Sequence, residues 1–96
     1  MNISKTLSNK REEILRITAA HGATNLRVFG SVSRGDATDK SDLDLLIELE
    51  PGRTLLDITA IKQDIEDLLG CAVDVVTENA VSPYIREQIL KEAISL

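Results

Sequence analysis

From Asp42 to Glu50 the chain alternates: Leu43, Leu45, Ile47 and Leu49 fall on one side, and Asp42, Asp44, Leu46, Glu48 and Glu50 on the other. A period of two belongs to a strand, and a strand with one apolar face needs a second layer to cover it. The flanking segments supply that layer. Ile3, Leu7, Ile14 and Ile17 recur at helical steps on a polar background, which predicts a helix over Ile3 to Ala20 with Gly22 as its stop. After Pro51-Gly52, Thr54 and Asp57 form a capping-box pattern, opening a helix expected to turn Leu55, Ile58, Ile61, Ile65 and Leu68 inward and to close at Gly70.

Two further strand candidates complete the pattern. Leu26-Arg27-Val28-Phe29 is ended by Gly30, and Ser31 to Lys40 has the composition of a loop or short helical turn. Ala72 to Thr77 places Val73 and Val75 opposite Ala72, Asp74 and Val76. Ser82 then caps a last helix with Pro83 at its first position and Ile85, Ile89 and Ala93 on one stripe. The expected fold is α/β, a small mixed sheet of about three strands flanked by helices, with residues 1–96 forming one domain. The second and third strands, separated by a helix, are expected to be parallel; the first and second are close enough in sequence to be antiparallel.

Composition narrows the function. The net charge of -5, with scattered Lys and Arg, argues against an independent nucleic-acid binder. Phe29 and Tyr84 are the only aromatic residues, too few for a base-stacking platform, so a bound nucleotide is expected to be held by its phosphates. One cysteine, Cys71, and one histidine, His21, supply neither an intrachain disulfide nor the usual four-ligand zinc site. With no apolar run of membrane-spanning length and no secretory pattern at Met1 to Lys5, the cytoplasm is the expected compartment and no membrane partner is expected.

The candidate chemistry lies in three aspartates. Residues i and i+2 of a strand share a face, so Asp42 and Asp44 are neighbouring carboxylates, an arrangement that raises their pKa values or calls for a hard divalent cation. If the third strand lies beside the second, Asp74 joins them from an otherwise apolar segment. Upstream, Gly30-Ser31 ends a strand at a turn where glycine permits close approach and backbone amides with a hydroxyl suit phosphate oxygens. Each element has a bland counterpart: solvent-facing strand aspartates, an ordinary turn, and for Asp74 a strand-end ion pair. Arg34 is compatible with a phosphate or partner contact or with a structural salt bridge, and Tyr84 with core or partner surface. His21 is read as complementing a helix end and Cys71 as a small buried hydrophobe.

Gly30-Ser31-Val32-Ser33-Arg34-Gly35 followed by Ser41-Asp42-Leu43-Asp44-Leu45 resembles the signature of the DNA polymerase beta-like nucleotidyltransferase superfamily. The short length, the Asp74 strand and Pro83-Tyr84-Ile85-Arg86-Glu87-Gln88-Ile89-Leu90 are similar to its minimal nucleotidyltransferase branch. The resemblance implies an antitoxin of the HEPN/MNT type that transfers AMP from ATP to a tyrosine of a HEPN-domain ribonuclease toxin. It implies two Mg2+ ions at Asp42 and Asp44, with Asp74 completing the catalytic metal site and helping to deprotonate the attacking hydroxyl. Gly30 and Ser31 would hold the β and γ phosphates, and Arg34 and Ser41 would join them in binding nucleotide. Many minimal members carry an arginine directly after the Gly-Ser pair, where this chain has Val32. Two other readings of the same pattern are an antitoxin that acts by docking alone and a transferase with a small-molecule acceptor; the latter would need an acceptor pocket for which 96 residues leave little chain.

Overall fold

A computed structural model describes residues 3–38 and 42–96 of the chain. Helix α1 spans Ile3–Ala20, strand β1 Ala23–Phe29, the one-turn helix α2 Ser31–Arg34, and β2 Leu43–Leu49. Helix α3 covers Leu55–Leu69 and β3 Val73–Thr77; a 3-10 turn at Glu78–Ala80 leads to α4, Pro83–Glu92, and to the two-residue strand β4, Ile94–Ser95. The sheet order is β3-β2-β1-β4, with β2 parallel to β3 and antiparallel to β1. The mixed sheet and both pairing directions follow the sequence expectation. The fourth strand adds to it: β4 pairs antiparallel with β1, placing Ile94 opposite Val28 and Ser95 opposite Arg27.

The core lies between one sheet face and the helices. Leu43, Leu45 and Ile47 are fully buried from β2, with Leu7 and Ile14 of α1, Ile61, Ile65 and Leu69 of α3, Leu26 and Val28 of β1 and Val73 of β3. Each such aliphatic side chain removed from water contributes roughly 1.5–3 kcal/mol, so this face drives the fold. Helix α3 begins with the expected capping box: Leu56 N–H donates to the Thr54 hydroxyl at 3.2 Å and Thr54 N–H to Asp57 at 3.1 Å. Gly70 ends it in a left-handed conformation, φ 70°.

Three details depart from the sequence reading. Strand β1 starts at Ala23 rather than Leu26, because Asn25 adopts φ 51° and the register shifts between Thr24 and Arg27; that bulge hides the period of two. Leu55 is 77% exposed, while Leu69 is buried in the place expected for the only partly buried Leu68. At 100° per residue, Leu69 stands roughly 40° from Ile65 around the helix and Leu55 roughly 80°, so Leu55 falls off the buried stripe. Helix α4 buries no side chain fully: Ile89 is half-buried, whereas Ile85, Leu90 and Tyr84 are exposed. Among the described residues no helix is long and apolar enough to cross a membrane.

Candidate active site

The second face of the sheet carries the aspartates. Leu43 and Leu45 point into the core, so Asp44 between them projects from the opposite face. In the parallel β2–β3 ladder Asp44 is the register partner of Asp74, and on its other side Asp44 is paired with Phe29 of β1. Neighbouring strands are about 4.8 Å apart, so this row brings two carboxylates side by side. Asp42 lies exposed just ahead of β2, where Leu43 N–H donates to the Ala72 carbonyl at 2.9 Å and ties the strand entrance to β3. Two residues further along the same face, Leu46 between Arg27 and Val76 is only 1% exposed. This face is therefore partly covered, with Arg27 bound to Glu78 of the 3-10 turn at 3.0 Å.

The neighbouring charges act on Asp44. Burial pushes the Asp44 carboxyl above its ordinary range, and the nearby Asp74 and Asp42 carboxylates push it further, while Arg34 opposes them. Burial likewise raises the half-buried Cys71 thiol, helped by Glu66 and Asp42, which favours the protonated thiol.

The Gly30 turn closes against this row. Gly30 has φ 74° and ψ -150°, and a Cβ built there would collide with the Asp44 carboxylate, its Cγ lying at 3.1 Å. Only glycine fits both the backbone and the space. The Gly30 carbonyl accepts from Arg34 N–H at 3.1 Å and from the Ser33 hydroxyl at 2.9 Å, fixing the single turn of α2 with half-buried Ser31 at its start. Val32 faces the core at 9% exposure, which explains why this chain has an apolar residue there. Arg34 is ion-paired with Asp36 at 3.3 Å and with Glu92 of α4 at 3.2 Å. A groove of about 240 Å³ runs between the turn and α4, lined by Phe29, Gly30, Arg34 and, across from them, Ile85, Gln88, Ile89 and Glu92.

The structure thus brings together Asp44, Asp74, Gly30 and, by its electrostatic effect, Arg34 and Asp42; Ser41 lies outside the described residues. His21 is remote, its ring set between Asp57 at 3.3 Å and Asp64 at 3.6 Å of α3. Glu92 was not singled out by sequence, since 58 residues separate it from Arg34 and no period relates them. Among the described residues no group of three or more His, Cys, Asp or Glu side chains is gathered as a ready metal site. The donor set nevertheless fits a hard divalent ion that keeps water and takes phosphate oxygens, because it offers carboxylate oxygens that already repel one another.

The sequence signature described as Nucleotidyltransferase domain matches residues 8–96. The chain belongs to the nucleotidyltransferase domain family. A protein provisionally named protein adenylyltransferase MJ0435, from Methanocaldococcus jannaschii, is 35% identical over 96 residues, covering 100% of this chain and 99% of its own. Protein adenylyltransferase MntA of Thermococcus cleftensis is 34% identical over 91 residues, covering 86% of this chain and 92% of its own. A solved structure provisionally described as a minimal nucleotidyltransferase is 53% identical with a TM-score of 0.87, over 96% of this chain and 94% of that one. A toxin-antitoxin crystal structure with AMP-PNP shares the fold, with a TM-score of 0.75 at 19% identity, over 88% of this chain and 69% of that one. The protein is a nucleotidyltransferase of the minimal, MntA-like branch.

Proposed function

We propose that this nucleotidyltransferase is a cytoplasmic antitoxin that transfers AMP from ATP to a tyrosine of a partner HEPN-domain ribonuclease and so silences it. The observation that carries the reading is the in-register pair Asp44 and Asp74 with the Gly30 turn closed against Asp44. The names of the relatives, protein adenylyltransferases, favour AMP as the transferred group, and the toxin-antitoxin neighbour favours a toxin as the partner.

In this reading Asp42, Asp44 and Asp74 hold two Mg2+ ions, which when bound would supply charge neutralisation at the attacking and leaving oxygens. Gly30 and Ser31 hold the β and γ phosphates, with Arg34 and Ser41 completing the nucleotide site. The tyrosine oxygen attacks the α-phosphorus, a new O–P bond forms, the bond to the β-phosphate oxygen breaks and pyrophosphate leaves. Asp74, exposed on the edge strand β3, is open to an incoming acceptor and helps remove the hydroxyl proton. Incubation with ATP, Mg2+ and the partner is expected to add one or more AMP masses to the partner. An unchanged partner mass, with toxin and antitoxin demonstrably in complex, rules the reading out.

The exposed apolar side chains of α4 and β4, with Tyr84 97% and Ile94 56% exposed, favour a second contribution, neutralisation by docking. Asp42→Asn with Asp44→Asn separates the two. Docking survives the exchange and AMP transfer does not.

A further inference from the structure

We propose that Glu92 is a positioning residue of the nucleotide site, holding the Arg34 guanidinium beside the Gly30–Ser31 turn while Gln88 orients its carboxylate. The inference rests on the reading of that turn as a phosphate site and adds a residue to it. Arg34 Nη1 donates to both carboxylate oxygens of Glu92, at 3.4 and 3.2 Å, and Gln88 Nε2 donates to Glu92 Oε1 at 3.4 Å from one helical turn earlier. The Glu92 side chain is 19% exposed against 47% for Arg34, so the carboxylate is the fixed member of the pair.

The backbone explains that fixity. Glu92 ends α4, Ala93 N–H donates to the Ile89 carbonyl at 2.9 Å, and Ile94 and Ser95 then pair with Val28 and Arg27. Strand β1 runs on from Val28 to Phe29 and meets the turn at Gly30. Strand β4 therefore pins the last turn of α4 beside the end of β1, and the Arg34–Glu92 pair spans the groove between them. A free arginine side chain loses rotamer entropy when it meets a ligand, and an arginine held in place loses less.

The test is calorimetric binding of a non-hydrolysable ATP analogue with Mg2+, and of ADP, to the full chain and to Glu92→Gln, Glu92→Asp, Arg34→Ala and the Glu92→Gln/Arg34→Ala double variant. Thermal melting of each confirms folding. Glu92→Gln is expected to weaken binding of the triphosphate analogue about tenfold and of ADP less, with Glu92→Asp recovering part of the loss. The double variant is expected to bind no more weakly than Arg34→Ala, because the two side chains act as one unit. Wild-type affinity in a folded Glu92→Gln, or strictly additive losses in the double variant, overturns the proposal and leaves the phosphate site intact. Absence of nucleotide binding by the wild-type chain overturns both.

Discussion

Gly30 and Asp44 share one small volume: the Asp44 carboxylate fills the space that a Cβ on residue 30 would need. Gly30→Ala is therefore expected to displace Asp44 as well as to strain a backbone at φ 74°, at a cost of about 1–3 kcal/mol. Because misplacement of a reacting group by about 1 Å can cost 10²-fold, AMP transfer should fall by about that factor. Gly35 is the matched control. Its φ is 80° but a Cβ there meets nothing within 4 Å, so Gly35→Ala should lose only about 1–2 kcal/mol in melting experiments and retain transfer.

Asp44→Asn should abolish transfer and yet stabilise the fold at neutral pH. Burial and the neighbouring carboxylates raise the Asp44 pKa on folding, so the native state holds that proton more tightly than the unfolded chain does. The group's favourable contribution is complete below the ordinary aspartate pKa and is lost as pH rises through the raised folded value. With solvent screening the gain is small, and the variant is expected to melt slightly above wild type at pH 7. The advantage over wild type should vanish in melts near pH 3.

Helix α3 gives a graded set of stability predictions. Thr54→Ala removes the hydroxyl that accepts from Leu56 N–H and should cost about 1 kcal/mol. Ile61→Ala empties a fully buried site and should cost about 2–5 kcal/mol, whereas Leu55→Ala on the exposed flank should stay within about 0.5 kcal/mol. Equilibrium urea unfolding measures all three. A large loss for Leu55→Ala would mean that the helix sits rotated from this placement.

A pH effect at the other end of the molecule has the opposite sign. The Asp57 carboxyl is held below its ordinary range by the Thr54 N–H, then by His21 and Arg53, so its stabilising contribution is present above the ordinary aspartate pKa and lost as pH falls through the lowered folded value. Acid unfolding curves of Asp57→Asn should accordingly be flatter than those of wild type in the range below the ordinary aspartate pKa.

Much of this architecture was legible in the sequence because it is encoded by local rules. The alternation around Asp44, the Thr54–Asp57 cap, the Gly70 stop and the Ser82-Pro83 start each depend on residues within a few positions of one another. The spacing from Gly30-Ser31 to Asp42 and Asp44 is longer but still lies within one stretch of chain, and it marks the candidate site in the sequence. Where the reading slipped, a local pattern was interrupted or incomplete. Asn25 in a left-handed conformation broke the period of β1, and the two residues of β4 are too short to carry a period at all.

The sequence by itself determined which faces of β2 and β3 are apolar and that the acidic residues of these strands stand opposite those faces, because side-chain alternation is a property of the extended chain. Tertiary structure alone decided that β3 pairs parallel with β2 in the register that sets Asp44 against Asp74, and that α4 returns through β4 to bring Glu92 to Arg34. Those relationships join residues 30 and 58 positions apart. They arise from burying the shared apolar face of the sheet under α1 and α3, and no nearest-neighbour preference in the chain specifies them.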